Sequence, residues 1–305
     1  MNLKFIHIGH HRCGSTFLQK KVFPSIQSLT PITYYNNHGI QDAIDRLILE
    51  PDPFYPEEET AAEILEKIEP LGDACMSYEG FTGLNEGMGF CYQNDYIAKR
   101  LRAMFGEKPI LFVVREQKGH LISRYRTRVR KGVLADFETW TREWLASYRL
   151  NFLRYSAIAD IYGKHFGAEN VHVVLFEELF DAEYLSSVFR RFDVDPAGIE
   201  AVDFGRQVNE SDTAPVMHMT RFVNRFFGSK VTYEGSVGAN DSLRMYNWWR
   251  YKGAAGLNRW TRKMGSDAPT YDFPGFDELL HDLCHEDNKK LSALTGKDLT
   301  PFGYV

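Results

Sequence analysis

Leu3-Lys4-Phe5-Ile6-His7-Ile8-Gly9-His10-His11-Arg12-Cys13-Gly14-Ser15-Thr16-Phe17-Leu18-Gln19 is the stretch that decides the fold. Its apolar start, Leu3 to Ile8, reads as a short strand. Gly9 to Gly14 reads as a loop, and Ser15-Thr16-Phe17-Leu18-Gln19 opens a helix. Glycines let backbone N–H groups turn inward at the positive end of a helix, which suits a phosphate. Ser15 and Thr16 add hydroxyl donors. The nucleotide-hydrolysing form of such a loop is Gly-x4-Gly-Lys-Ser/Thr. Here Ser15 stands at the lysine position, and the nearby cation is Arg12, two residues before Gly14. That departure counts against an ordinary ATPase or kinase.

Working outward, strand patterns alternate with helical ones. A long acidic helical region occupies roughly 39–69 and is interrupted by Pro51, Pro53 and Pro56. Ala74-Cys75-Met76-Ser77-Tyr78 is a second strand, ending at Glu79-Gly80. A helix near 92–105 leads to the most apolar strand, Ile110 to Val114, with Arg115 just past its end. A basic helix runs to about 131, and helical patterns fill 136–166. Val171 to Phe176 is another buried-type strand, followed by a helix to about 192. This alternation predicts a mostly parallel sheet covered on both faces. Ligands of such sheets bind at the carboxyl ends of the strands. Gly9–Thr16, Glu79 and Arg115 all fall at such ends, so one crevice is expected to collect them.

The chain has 305 residues, 44% hydrophobic and 25% charged, the balance of an ordinary globular protein. Net charge is −5, which does not suggest a nucleic-acid binder. The average hides a split. Residues 41–73 carry eleven acids and two bases, whereas residues 99–131 carry eleven bases and two acids. The acidic stretch reads as a solvated surface, and the basic one asks for an anion. Cys13, Cys75, Cys91 and Cys284 have neither zinc-ligand nor disulfide-framework spacing, and no metal site is expected. No apolar run approaches the length of a membrane span. No signal-peptide pattern precedes the first strand, so the cytoplasm is the expected compartment.

A second phosphate motif is independent of the first. Val113-Val114-Arg115 closes an apolar strand, and Ser123 follows eight residues later inside the next helix. A strand-end guanidinium and a hydroxyl two turns along can both face one phosphate. The first loop resembles the 5′-phosphosulfate loop of sulfotransferases that use 3′-phosphoadenylyl sulfate (PAPS), with Arg12-Cys13-Gly14-Ser15-Thr16 matching [Lys/Arg]-x-Gly-[Ser/Thr]-[Ser/Thr]. Arg115 and Ser123 resemble the 3′-phosphate motif of the same family, although Glu116-Gln117 replaces its usual Asn-Pro. Val173-Val174-Leu175-Phe176-Glu177-Glu178-Leu179 is similar to a late family segment and is expected to pack the sheet. Arg206-Gln207-Val208-Asn209-Glu210-Ser211 is similar to an Asn-x-Ser segment of bacterial members, which would bring Arg206 and Asn209 towards the nucleotide.

The resemblance implies a three-layer α/β/α fold with a mainly parallel sheet, like that of P-loop NTPases, plus an irregular helical C-terminal cap. One domain over 1–305 is implied, with a nucleotide-binding core at 1–204 and a cap at 205–305. It implies PAPS as donor, PAP as product, no metal, and a hydroxyl-bearing acceptor. Arg12 and the loop donors Cys13, Gly14, Ser15 and Thr16 would stabilise the leaving phosphate. Glu79 is the first choice of general base and His11 the second. Residues 244–263 hold six bases, no acid and five aromatic residues. They form a surface for an anionic acceptor or lipid headgroups, or an amphipathic helix closing the crevice. A P-loop-type phosphotransferase and a non-catalytic nucleotide-binding module remain the alternatives.

Overall fold

Five short parallel strands carry the fold, in the order β2-β3-β1-β4-β5. The computed structural model describes residues 2–83, 94–205, 212–227 and 249–305. The strands are β1 (Asn2–His7), β2 (Thr30–Thr33), β3 (Asp73–Ser77), β4 (Ile110–Val114) and β5 (Val171–Leu175). All four pairings are parallel, in agreement with the expected sheet. Every residue of β4 is buried, as a strand covered on both faces requires. The sequence pattern had not revealed β2. Its Pro31 cannot donate to a neighbour, and the strand sits at the sheet edge, where that omission is tolerated.

The helices between the strands are α1 (Ser15–Phe17), α2 (Phe23–Ser25), α3 (Gln41–Leu49), α4 (Glu57–Ile68), α5 (Asn94–Phe105), α6 (Gln117–Arg130), α7 (Phe137–Ala146), α8 (Tyr155–Phe166), α9 (Ala182–Arg191) and α10 (Ala214–Phe227). A π turn, Leu18–Val22, joins α1 to α2. Pro24 explains it: a proline there cannot donate back to the Lys20 carbonyl. Helices Ala254–Lys263 and Phe276–Thr295 follow in the C-terminal part.

One face of the sheet packs on α1, α2 and α9. Phe5 on β1 meets Phe23, Phe189 and Phe192 at ring-centroid distances of 5.7, 5.8 and 5.0 Å. Val113 and Val174 from β4 and β5 join the same cluster. The opposite face receives α8, where Tyr155 lies edge-on to Phe112. The acidic segment behaves as a solvated surface. On α4, Thr60, Ile64 and Ile68 face inward while Glu57, Glu58, Glu59 and Glu66 are exposed.

The chain divides into two compact units. The first comprises Met1–Gln117, Arg149–Val208 and Asp277–Val305; the second comprises Lys118–Tyr148 and Asn209–Phe276. Within the first, Asp287 reaches the amino end of α8. Its carboxylate accepts from the Ser156 N–H at 2.9 Å, the Ser156 hydroxyl at 2.6 Å and the Ala157 N–H at 3.2 Å. Arg154, the residue before α8, supplies no side-chain cap of its own. A buried carboxylate from a distant helix thus satisfies the orphan donors of this one. Asp287→Ala is expected to lower unfolding stability by about 2–3 kcal/mol in urea titrations. A change below about 0.5 kcal/mol would show that α8 does not depend on this contact.

Candidate functional site

The loop after β1 follows a path that few side chains allow. Arg12 has φ +74° and Gly14 φ +87°. A left-handed arginine is uncommon, and two such residues on either side of Cys13 fold the loop back on itself. The Cys13 N–H closes the turn by donating to the His10 carbonyl at 3.1 Å. Gly14 then opens α1, its carbonyl accepting from the Phe17 and Leu18 N–H groups at 2.9 and 3.1 Å. A β-carbon at Gly14 would stand 2.5 Å from Leu179 Cδ1 and 3.2 Å from Phe176. Conformation and contact both exclude a side chain there.

The two loop histidines part company. His10 is buried, with Nε2 2.7 Å from the Phe152 carbonyl and Nδ1 3.3 Å from Thr82 Oγ1. Its ring lies edge-on to Phe152 and Tyr155, so it serves the core. His11 turns to Glu79, with Nδ1 2.6 Å from Oε2. Glu79 opens a 3₁₀ turn, Glu79–Thr82, immediately after β3, and its side chain is 30% exposed. Burial would raise its carboxyl, but the His11 charge and hydrogen bonds from His11 and Ser15 hold it below the usual carboxylate value. The group is therefore ionised at neutral pH. Both sequence candidates for the base are thus one contact pair at the loop.

Arg115 leaves the end of β4 towards the same loop. Its Nη1 donates to the Arg12 carbonyl at 3.5 Å, and its guanidinium lies 4.5 Å from the Phe176 ring centre. The Arg115 carbonyl accepts from the Tyr155 hydroxyl at 2.7 Å. No ion pair to Arg115 occurs among the described residues. The late Phe176-Glu177-Glu178-Leu179 segment therefore does more than pack the sheet: Phe176 and Leu179 abut Gly14, and Phe176 underlies Arg115. Glu177 Oε1 accepts the Glu116 N–H at 3.0 Å, fixing the turn where the family pattern is missing. Sequence reading had given this segment no part in the site. The only available signal was an aromatic residue at the end of β5, level with the end of β4.

Ser123 lies on α6 and is buried at 8% exposure. It belongs to the second unit, and Arg115 belongs to the first. Arg206 and Asn209 lie outside the described residues, as do 244–248 of the basic aromatic segment. In the described remainder, Trp260 is 60% exposed beside the exposed bases Arg259, Arg262 and Lys263, and Trp249 Nε1 lies 3.4 Å from Thr220 Oγ1. Not all of the basic excess at 99–131 serves an anion. Arg100 is buried, donating to the Leu47 and Glu50 carbonyls at 2.7 and 2.8 Å and stacked on Tyr55 and Tyr96. It ties α5 to the end of α3.

Among the described residues there is no cluster of three or more potential metal ligands, and no helix is long and apolar enough to cross a membrane. Cys13, Cys75 and Cys284 are buried and form no disulfide.

No protein-family model matches the chain, and no curated protein matches it in sequence. Among solved structures, it is similar to a sulfotransferase from Alicyclobacillus acidocaldarius, at 14% identity and a TM-score of 0.56, over 99% of each chain. It also aligns with the sulfotransferase domain of the Synechococcus PCC 7002 olefin synthase, at 14% identity and a TM-score of 0.39, over 83% of this chain and 95% of that one. At that score the second alignment carries no argument. The first shows a shared fold: an α/β architecture around a parallel sheet, as the alternation of strands and helices led one to expect.

The last residue of β1, His7, is fully buried, and burial pushes its imidazole down to about 4 against the opposing pull of the Glu79 charge. The unfolded chain takes up its proton near 6.5, so stability is fully present above that pH and falls as pH drops towards 4. The loss from this one group is expected to reach about 3 kcal/mol. The Glu79 contribution follows the same sign, being present above the ordinary carboxylate range and lost as pH falls through its lowered value. Urea unfolding at several pH values should show a flatter acid limb for His7→Gln than for the parent chain. Parallel limbs would mean that His7 is protonated in the native state.

Proposed function

We propose that this chain is a sulfotransferase that moves the sulfuryl group of PAPS to a hydroxyl of an acceptor. The observation that carries the reading is the Glu79–His11 pair at the lip of a phosphate-type loop, with Arg115 reaching that loop from the next strand. The fold shared with a sulfotransferase is consistent with it.

The residues suit a donor with phosphate at each end. Arg12 and the Cys13, Gly14, Ser15 and Thr16 donors would hold the 5′-phosphosulfate at the start of α1. Arg115 and Ser123 would hold the 3′-phosphate, and Arg206 and Asn209 would complete the nucleotide side. When bound, PAPS supplies a sulfuryl group attached to a good leaving phosphate. The chain's own work is then threefold: to fix the donor, to place donors where charge develops on the leaving oxygen, and to take the acceptor proton. Ser15 in place of lysine suits a loop that does not grip the β- and γ-phosphates of ATP.

Glu79 is the proton acceptor in this reading, with His11 the alternative. Glu79 is held ionised, and its contact with His11 Nδ1 fixes the carboxylate at the lip of the loop. A hydroxyl brought to the Glu79 carboxylate would lose its proton to it as its oxygen bonds to sulfur and the bond from sulfur to the 5′-phosphate oxygen breaks, releasing PAP. No metal enters the scheme. The acceptor class stays open to carbohydrate, lipid-linked and small hydroxyl compounds.

Calorimetry with PAP tests the donor site. The parent chain should bind PAP, and Arg115→Ala and Ser123→Ala should each weaken binding by about tenfold or more. Full affinity in both variants would remove the 3′-phosphate assignment. With labelled PAPS and an acceptor panel, Glu79→Gln should lower turnover by about 10² or more while PAP affinity stays within a few-fold. A near-parental rate would move the base elsewhere, and ATP binding with no PAP binding would favour a phosphotransferase.

A further inference from the structure

A buried histidine beneath the loop has no part in the scheme above. His7 ends β1 and is 0% exposed. Its Nδ1 lies 2.7 Å from Ser77 Oγ on the neighbouring strand. Gln19 Nε2 donates to that same oxygen at 3.0 Å and to the Ser77 carbonyl at 3.1 Å. An amide N–H can only donate, so Gln19 occupies an acceptor site on the hydroxyl. The Ser77 proton has the His7 ring nitrogen as its acceptor, so Ser77 donates to Nδ1. A neutral imidazole that accepts at Nδ1 carries its own proton on Nε2. Burial keeps the ring neutral near pH 7.

That Nε2 is buried and makes no hydrogen bond. Buried donors are seldom left so, because an unmade bond there costs about 1–3 kcal/mol. The ring edge abuts the first residue of the phosphate loop. A β-carbon on Gly9 would sit 2.7 Å from His7 Cε1, 3.0 Å from Nε2 and 2.5 Å from Ser15 Oγ. The His7 edge and the Ser15 hydroxyl, which here donates to the His10 carbonyl at 3.4 Å, thus both border the space that a Gly9 side chain would fill. Ser15 is also the residue that replaces the lysine of nucleotide-hydrolysing loops.

We propose that His7 is a positioning residue for Ser15, its Nε2–H donating to the Ser15 hydroxyl oxygen when that hydroxyl gives its proton to a phosphate oxygen in the loop. The inference rests on the donor-binding reading above. The hydrogen bonds then run in one direction. Gln19 donates to Ser77, Ser77 to His7, His7 to Ser15, and Ser15 to phosphate. Each donation polarises the next group, which makes the terminal hydroxyl a stronger donor than a solvated serine. No proton is transferred along the chain and no bond breaks. Neutral polarisation does part of what a lysine charge does elsewhere, and Arg12 supplies the charge.

Nitrogen-15 NMR of the labelled full chain near pH 7 reads the ring directly. The expected result without ligand is a neutral His7 with its proton on Nε2, and PAP should move the Nε2–H resonance downfield. A proton on Nδ1 overturns the proposal whatever PAP does. Two variants separate positioning from packing. His7→Asn keeps a group near Nδ1 and loses the Nε2 donor, whereas His7→Gln can place an amide N–H near Nε2. Turnover of labelled PAPS should fall about tenfold in His7→Asn, with KM for PAPS little changed, and stay within about threefold in His7→Gln. Adding His7→Asn to Ser15→Ala should cost nothing further. Equal losses in both variants, or a full loss in the Ser15→Ala background, would overturn the relay. Failure of the parent chain to bind PAP overturns the donor reading and is distinguishable, since the tautomer is read without ligand.

Discussion

The site depends on one packing constraint: Gly14 must pass under Leu179 and Phe176 with no side chain of its own. With φ +87° at Gly14 and Leu179 Cδ1 2.5 Å from where a β-carbon would stand, a methyl group there would strain the backbone and push the Leu179 side chain aside. Relieving the backbone strain would move the residue that opens α1, and the amide groups at that start are what a phosphate would meet. Phe176 makes the same contact serve Arg115, because its ring supports the guanidinium while its edge meets Gly14. The loop cation, the strand-end arginine and the helix start therefore share one hydrophobic support.

The order of the strands decides what else the loop can meet. β1 sits between β3 and β4. Its loop therefore has Glu79 on one flank, from the end of β3, and Arg115 on the other, from the end of β4. These are neighbours far apart in sequence and adjacent only because all three strands run parallel. His11 bonds to the β3 side and the Arg12 carbonyl to the β4 side, so two consecutive residues stitch the loop to both neighbours.

Much of this was legible because the signals were local. Ile110–Val114 could be read as a buried strand from its unbroken apolar run, and Glu79 and Arg115 as strand-end residues from the positions just after such runs. What stayed hidden depends on tertiary contact. Nothing in the sequence says that Arg12 adopts φ +74°, since that conformation is held by the folded loop rather than by residue type. His10 and His11 look alike as text, and only the surrounding rings send one to the core. His7 could have been an exposed strand residue. Its burial shows only when Ser77 and Gln19, both distant in sequence, are brought to it. Helix α10 was not delimited either, since the C-terminal part read only as an irregular helical cap.

Parallel pairing gives the site a fixed ruler. Adjacent strands lie about 4.8 Å apart, so the ends of β3 and β4, two spacings from each other across β1, are held roughly 10 Å apart. No loop sets that span; the backbone hydrogen bonds of the sheet do. Longer loops after β3 or β4 would leave untouched the distance between the strand end that carries Glu79 and the one that carries Arg115.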